Sequence, residues 1–247
     1  MAEIRSLARG LEILDLLGKA REDVGVTELA GLLGVHKASA SRLVATLARH
    51  GYIEKDPSTR RCRLGPRLVA LGRRQLSQLP LHEAAAPFLQ ALMERTGECA
   101  HLGVAAQGEV LYIGQAESPA TLRVNVHVGQ TAPLHCTALG KVLLASGTVE
   151  IPTHLERFTP RTITAGGRLA KHLAAAQNQG YAVDDEEFDP GVRCLAAPVF
   201  DHHSHVAGAI GISGPTTRMT DRRLPRLAAI VMEVASELSE RMGFAGT

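Results

Sequence analysis

The sequence predicts two domains of mixed α and β structure: a small, mainly helical N-terminal domain and a larger domain in which helices and strands alternate. The chain has 247 residues, which is long for one domain and comfortable for two. Apolar residues recur at helical spacing in the first 50 residues, whereas most strand-like runs lie beyond Pro80.

Charge is divided in the same way. Residues 1–76 carry 14 Lys/Arg against 8 Asp/Glu, a net charge of +6, and the remaining 171 residues carry 13 against 17, a net charge of −4. A basic small domain joined to an acidic larger one is expected if only the first part binds a polyanion.

Three helices are predicted in the first 50 residues. The first follows the helical spacing of apolar residues from Ile4 onwards. Thr27 is a candidate N-cap of the second, which Gly34 ends. The third runs from about residue 37 to 50 and is ended by Gly51. Its inner stripe has i, i+3, i+4, i+7 spacing: Ala40, Leu43, Val44 and Leu47.

A hairpin follows the third helix. The strand-like runs "YIEK" and "RCRL" flank "DPST", in which Pro57 after Asp56 suits the second position of a type I turn. Three helices and a hairpin make a winged helix-turn-helix, assigned to residues 1–64. Leucines at helical spacing between two prolines then predict a linker helix over residues 65–79.

The C-terminal domain, residues 80–247, is predicted to be α/β with a largely antiparallel sheet. Short turns such as "AAQGEV" and "FDHHSHV" join neighbouring strand candidates, which favours antiparallel pairing. Helices are expected near 81–96, 138–146, 167–179 and 220–242, and strands at 99–105, 109–115, 121–128, 181–187, 193–200 and 205–213.

Several classes of protein are disfavoured by composition. There is no run of 18 apolar residues that could span a membrane, and the N-terminus lacks the apolar core of a signal peptide, so a cytoplasmic protein is expected. The four cysteines, at positions 62, 99, 136 and 194, form no C-x-x-C pair. Their spacing predicts neither a disulfide framework nor a zinc site, and no cofactor is expected.

The outward face of the third helix predicts a DNA-reading surface. Its first turns carry Lys37, Ser39, Ser41 and Arg42. A major groove admits one helix, and short polar side chains and arginine read base edges there. Arg60 and Arg61 at the hairpin tip are placed to reach phosphates or the minor groove. Double-stranded DNA is therefore the expected partner.

Several segments resemble the IclR family of bacterial transcriptional regulators, over nearly the whole chain. The N-terminal part of the match is "RSLARGLEIL", "TELAGLLGVHKASASRLVATLARHGYI" and the "RLG" that closes the wing. The more specific C-terminal part is "HLGVAAQGEVLYIG", "PLHCTALGKVLLA", "FTPRTIT", "GYAVDDEEFDPGVRCLAAPVFD" and "IGISGP".

The resemblance implies a winged helix-turn-helix joined by a linker helix to an effector-binding domain similar to GAF-type sensor domains. It implies a homodimer or dimer of dimers on a palindromic operator, regulating a neighbouring catabolic operon, here expected as a repressor. Effectors of the family are typically small organic or aromatic acids. The chain departs from the pattern in the short, loop-like "SGTVEIPTHLERF" and at Gly211, where many relatives carry a serine.

A small carboxylate is the expected effector. Thr137 is a good N-cap, so the N–H groups of Ala138, Leu139 and Gly140 should form an anion site at a helix start. The resemblance adds Asp184, Cys194 and Ser213 to the effector pocket. Because Gly211 lacks a side chain, extra space and a bulkier acid are expected beside it.

Two alternatives stay open on the residues alone. One is a cysteine-dependent hydrolase with Cys194 as nucleophile, His135 as base and Asp184 as orienter, although no oxyanion motif accompanies them. The other is a metal-responsive regulator, whose candidate ligands are of types that suit zinc: His101, His135, Cys136, Asp184 and Cys194.

Overall fold

The computed structural model describes residues 4–76, 80–124 and 126–245. The chain divides into two compact units, Met1–Gln78 and Leu79–Thr247. Within the described residues, no helix is long and apolar enough to cross a membrane.

The N-terminal unit is the expected winged helix-turn-helix. Its elements are α1 (Arg5–Lys19), α2 (Val26–Leu32), α3 (Lys37–Arg49), β1 (Ile53–Lys55), β2 (Cys62–Leu64) and α4 (Pro66–Leu76). The strands β1 and β2 pair antiparallel, with Glu54 opposite Arg63. Helix α4 lies in the predicted linker segment, whose residues 77–79 are outside the described residues.

One small core holds this unit together. The apolar side chains of the helices and hairpin meet in a single cluster, whose fully or nearly fully buried members are Ile13, Leu17, Val24, Leu29, Val44, Ile53 and Cys62. Ala40 and Val44 of the predicted inner stripe are completely buried, and Leu43 and Leu47 pack at the margin. The helical spacing therefore identified the core face of α3.

The predicted N-cap of α2 is wrong, whereas the predicted ends of α2 and α3 are confirmed. Helix α2 begins at Val26 with Gly25 as its N-cap, so Thr27 lies inside the helix and does not cap it. The N–H of Gly25 instead donates to the Glu28 carboxylate, at 3.5 Å. Gly34 and Gly51 end α2 and α3 with φ angles of +62° and +77°, a left-handed conformation that favours glycine.

The C-terminal unit contains a six-stranded antiparallel sheet and four helices among its described residues. The elements are α5 (Pro80–Thr96), β3 (Cys99–Ala106), β4 (Glu109–Ala116), β5 (Thr131–Pro133), α6 (Ala138–Ala145), α7 (Gly166–Gln179), β6 (Ala182–Asp185), β7 (Val192–Phe200), β8 (Val206–Pro215) and α8 (Leu224–Arg241). The strand order is β5-β4-β3-β8-β7-β6. Every pairing is antiparallel, whereas the sequence predicted a sheet that is only largely so.

Helices α6 and α7 cover the face of the sheet that carries the candidate site. They form one hydrophobic core with strand residues that include Val110, Ala196 and Ala209. Helices α5 and α8 pack against each other and against other parts of the sheet. All eight residues of α6 are buried, so this short helix lies inside the unit.

The predicted strand at 121–128 is wrong. Residues 121–124 and 126–128 form no strand, and residue 125 lies outside the described residues. The fifth strand is instead Thr131–Pro133, which pairs with β4. The alternating valines Val124 and Val126 face a cavity and not a neighbouring strand, which explains why their spacing imitated a β-strand.

Candidate effector cavity and DNA-contacting surface

The start of α6 is fixed by Thr137, as predicted. Its Oγ1 accepts a hydrogen bond from the N–H of Gly140 at 3.2 Å and donates to the carbonyl of Pro133 at 2.7 Å. The N–H of Gly140 is therefore used by the cap. A Cβ at Gly140 would overlap the carbonyl oxygen of Leu134, so only glycine allows this close approach.

Asp184, Cys194 and Ser213 lie side by side across three strands. The sheet register places Asp184 of β6 opposite Cys194 of β7, and Cys194 opposite Ser213 of β8. Directly opposed residues of antiparallel strands hold their Cβ atoms about 4.5–5.5 Å apart. Residues that are far apart in sequence thus form one polar row on the face of the sheet below α6.

A cavity of about 90 Å³ lies over this row. Five of the six residues proposed for effector binding line it: Ala138, Leu139, Asp184, Cys194 and Ser213. Gly140 is absent from the lining. Further walls come from residues that sequence reasoning did not assign to the pocket, namely His101, Tyr112, Val124, Val126 and Phe188. The cavity is small compared with the roughly 300–1,000 Å³ of drug-sized ligand pockets, so it suits a small molecule.

Gly211 also lines the cavity but does not enlarge it. A Cβ at this position would overlap the carbonyl oxygen of Leu195 and come within 2.9 Å of Ala196 on the neighbouring strand. The expectation that the missing side chain leaves room for a bulkier acid is therefore wrong. The glycine is required because β7 and β8 approach closely here.

Burial disfavours charge on the polar row. It raises the pKa of the Asp184 carboxyl to about 7, although Asp184 Oδ1 accepts the N–H of Glu187 at 2.8 Å. Burial, and secondarily the Asp184 charge, raises the pKa of the Cys194 thiol well above its ordinary value. At neutral pH the Cys194 thiol is consequently neutral, whereas the Asp184 carboxyl is close to half ionised.

A buried ion pair lies behind the cavity. Lys141 of α6 and Glu187, which follows β6, are both nearly completely buried, and their charged atoms are 2.5 Å apart. This pair was not predicted from the sequence, because Lys141 lies in the otherwise apolar run "ALGKVLLA". The one available signal was that charge inside such a run, since a lysine is almost never fully buried without a partner.

His101 and Ser213 form a second buried pair at the cavity wall. His101 Nε2 lies 2.6 Å from Ser213 Oγ. Burial lowers the pKa of His101 to about 4, so the imidazole is neutral at physiological pH. The ring meets Tyr112 edge to face, with centroids 5.7 Å apart.

The geometry gives little support to either alternative function. His135 Nε2 lies 2.9 Å from the carbonyl oxygen of Glu156, and its ring packs on Phe158, so its observed partners are not Cys194 or Asp184. A nucleophilic cysteine needs a lowered pKa, whereas that of Cys194 is raised. Within the part of the chain that the structure describes, no group of three or more His, Cys, Asp or Glu is arranged to hold a metal ion.

The predicted DNA-reading residues lie on one end of α3. Lys37, Ser41 and Arg42 are exposed, and Ser39 is half-buried. His36, at the N-cap, makes no side-chain cap, so the first N–H groups of α3 face outward. An open depression beside them is bordered by Arg9 of α1 and by His36, two residues that sequence analysis did not assign to this surface.

The two arginines of the hairpin differ in exposure and in their contacts. Arg60 is exposed, with a φ angle of 60° in the hairpin turn. Arg61 folds back on the unit: its Nε donates to the carbonyl of Asp23 at 2.5 Å, and its Nη2 lies 3.3 Å from Glu28. The structure therefore places Arg60 at the tip, whereas Arg61 ties the hairpin to the start of α2.

The turn of the wing is organised by Asp56. Its Oδ1 accepts hydrogen bonds from the backbone N–H groups of Ser58 and Thr59 at 2.9 and 2.7 Å, and from both hydroxyls. These hydrogen bonds lower the pKa of the Asp56 carboxyl far below its usual range. Asp56 thus closes the loop that carries Arg60 through contacts with its immediate neighbours in sequence.

Comparison with known proteins identifies matches over both units. Residues 73–240 match the family model "Bacterial transcriptional regulator IclR C-terminal", and residues 6–57 match "IclR helix-turn-helix domain". The chain is 39% identical to "HTH-type transcriptional regulator BhcR" of Paracoccus denitrificans, covering 96% of this chain and 86% of the relative. It is 31% identical to "Transcriptional repressor IclR" of Escherichia coli, covering 98% and 91%.

A solved structure shares the fold over the same extent. The crystal structure of the IclR transcriptional regulator from Alicyclobacillus acidocaldarius has a TM-score of 0.83 at 30% identity, covering 98% of this chain and all of that one.

Proposed function

Because the chain belongs to the IclR family of bacterial transcriptional regulators, we propose that it represses a catabolic operon and that a small carboxylate bound in the C-terminal unit controls it. The family is one of DNA-binding regulators, which agrees with the winged helix-turn-helix of the N-terminal unit. Repression is favoured by the relative from Escherichia coli, which is a repressor by name. Such a regulator works in the cytoplasm, where its operator lies.

The observation that carries the effector proposal is the cavity at the start of α6. Ala138 and Leu139 line it, and the early N–H groups of a helix carry partial positive charge and lack partners within the helix. A carboxylate accepts hydrogen bonds at such a site without a cationic side chain. The hydroxyl of Ser213 adds one more donor.

The size of the cavity narrows the class of acid. A volume of about 90 Å³ with a largely apolar lining suits a small molecule. Gly211 provides no further room, since the neighbouring strand fills the space beside it. A compact acid therefore fits better than a bulky one.

Exposed apolar residues on α1 support a dimeric DNA-binding form. Ile4, the N-cap of α1, is 67% exposed, and Leu7 and Leu11 are 60% and 55% exposed. Their spacing places them along one side of the helix. Apolar stripes on a short helix are typical of a surface that another chain covers. A homodimer, or a dimer of such dimers, would present two α3 helices to the half-sites of a palindromic operator.

Binding experiments on the full chain test this function. Gel shift with the DNA flanking the gene should give a specific complex at nanomolar protein, and compact acids should change its affinity. Each acid should be compared by calorimetry with its amide, which keeps the shape but removes the charge. An amide that binds as tightly as its acid would contradict a carboxylate site.

A further inference from the structure

The hydrogen-bonded pair of His101 and Ser213 joins two neighbouring strands inside the cavity. His101 lies on β3 and Ser213 on β8, and the two side chains are 5% and 3% exposed. Both line the cavity, and Nε2 of His101 lies 2.6 Å from Oγ of Ser213. The residue that supplies a donor to the ligand is therefore itself bonded to a histidine.

The other ring nitrogen of His101, Nδ1, is the second feature of this pair. Nδ1 is buried and makes no hydrogen bond to any residue in the described ranges. A buried polar atom without a partner is unfavourable, and such atoms in folded proteins are usually satisfied by a bound water or ligand. Because the imidazole is neutral, one nitrogen carries a proton and the other accepts.

The direction in which the Ser213 hydroxyl donates determines which ring nitrogen of His101 carries the proton. A carboxylate only accepts hydrogen bonds, so Ser213 helps to bind it only if the hydroxyl proton points at the ligand. Oγ of Ser213 must then accept the proton of His101 Nε2. Nδ1 is left as an acceptor, and only a hydrogen-bond donor can satisfy it.

We propose that His101 determines specificity in this cavity, and that the effector is a hydroxy acid whose hydroxyl donates to Nδ1 while its carboxylate accepts from Ser213 and the start of α6. The inference rests on the proposed carboxylate effector and narrows it to acids that carry a hydroxyl. An acid without this hydroxyl leaves Nδ1 unpaired. A keto oxygen in the same place is itself an acceptor and cannot form a hydrogen bond with Nδ1.

The cavity holds the imidazole in one orientation. The bond to Ser213 fixes one side of the ring, and the edge-to-face contact with Tyr112 fixes its plane. A fixed acceptor discriminates between ligands with and without a donor much more strongly than a mobile one, because it cannot turn away to find another partner.

Calorimetry with matched acids tests the proposal on the full chain. The pairs are lactate and propionate, 3-hydroxybutyrate and butyrate, and 3- or 4-hydroxybenzoate and benzoate. In at least one pair the hydroxy acid should bind tenfold or more tightly than its partner. The corresponding keto acids, pyruvate and acetoacetate, should bind more weakly than the matching hydroxy acids.

Two amide variants distinguish the contributions of the two ring nitrogens of His101 to the hydroxyl preference. Asn at position 101 retains a polar atom near Nδ1, whereas Gln reaches towards the position of Nε2. His101→Asn should keep a hydroxyl preference of at least threefold, and His101→Gln should reduce it to less than threefold while the parent acid still binds. Because the preference is a ratio within one variant, a partial loss of folded protein does not alter it.

The outcomes distinguish this inference from the proposed function. If no acid of the panel binds, or if amides bind as well as acids, the carboxylate effector is contradicted and the hydroxyl inference with it. If acids bind without a hydroxyl preference, or if His101→Gln keeps the full preference, the carboxylate site stands and the role of His101 is overturned.

Discussion

Lys141 Nζ and Glu187 Oε1 lie 2.5 Å apart in an ion pair whose side chains are only 2% and 6% exposed. Lys141 belongs to the first turn of α6, which borders the cavity, and the N–H of Glu187 donates to Asp184 in the opposite wall. The helix start and the polar row are thus joined through one buried pair.

Breaking this pair should destabilise the C-terminal unit strongly. Lys141→Met leaves the carboxylate of Glu187 buried and unpaired, which typically costs about 3–5 kcal/mol. The double variant Lys141→Met, Glu187→Leu removes both charges and should recover most of the loss. Urea unfolding followed by circular dichroism gives the free energy of unfolding of both variants. If Lys141→Met lies within about 1 kcal/mol of wild type, the Glu187 carboxylate is not buried without a partner in that variant.

Effector affinity should depend on pH through Asp184. Its pKa is raised to about 7, and a carboxylate bound nearby disfavours the ionised form further, so the acid binds best when Asp184 is protonated. The protonated fraction falls as pH rises through 7. Affinity should therefore be nearly constant on the acid side and weaken by up to tenfold per pH unit above about 7.

The groups around Asp184 make this assignment testable. Lys141, Glu187 and Cys194 face it, and His101, with its pKa near 4, stays neutral throughout the range. Asp184→Asn should abolish the pH dependence in calorimetry between about pH 6 and 8.5. An unchanged slope in this variant would assign the proton to another group.

The two basic regions of the N-terminal unit should affect DNA binding differently. Arg42→Ala should lower affinity for the operator by about 1–3 kcal/mol and leave random DNA nearly unaffected, because a base contact is lost. Arg60→Ala should weaken both DNAs alike and reduce the salt dependence, since a phosphate contact is lost.

A matched control lies on the same hairpin. Arg63 pairs with Glu54, with 3.1 Å between the charged atoms, so Arg63→Ala should change binding less than Arg60→Ala. Fluorescence anisotropy at several salt concentrations measures all three variants. If Arg42→Ala lost the same affinity for operator and for random DNA, the assignment of α3 as the helix that recognises the base sequence would be wrong.

Self-association should depend on the apolar side of α1. Leu7→Glu places a charge where 60% of a leucine is exposed, so it should weaken the dimer and the operator complex without unfolding the unit. Glu12→Ala changes another exposed residue of α1 and should leave both unchanged. Sedimentation velocity of the full chain measures the effect; a Leu7→Glu dimer as stable as wild type would exclude this surface.

A serine in place of Gly211 should destabilise this chain. In Gly211→Ser the new Cβ overlaps the backbone of Leu195, and overpacking of this kind costs about 1–3 kcal/mol. Gly167→Ser is the control in the same unit, because no atom of the described residues lies within 4 Å of a Cβ at that position. Thermal melting gives the melting temperature of both variants. If Gly211→Ser melts at the same temperature as wild type, β7 and β8 can move apart at this position without loss of stability.

Much of the fold followed from local pattern, since the spacing of apolar residues and the glycines at helix ends report on neighbours in sequence. Thr137 could be recognised because a cap acts over three residues. The pair of Lys141 and Glu187 could not, because it joins positions 46 residues apart. Arg61 likewise resembled a phosphate ligand until its contact with Asp23, 38 residues away, was visible.

The valines near 124 show the opposite limit. Alternating apolar residues indicate that every second side chain is shielded from solvent, but they do not indicate whether a neighbouring strand or a cavity shields it. Similarly, the missing side chain of Gly211 indicated absent volume, whereas the neighbouring strand had already occupied that volume.

The closed turn at Asp56 has a consequence for the free energy of DNA binding. A wing that is disordered in the free protein loses conformational entropy when it settles on the phosphate backbone, at about 1–2 kcal/mol for each residue fixed. Here Ser58 and Thr59 are already held by Asp56 before any DNA is present. In the proposed DNA contact, Arg60 would approach the duplex from a preorganised loop, and little of the binding free energy would be lost to ordering that loop.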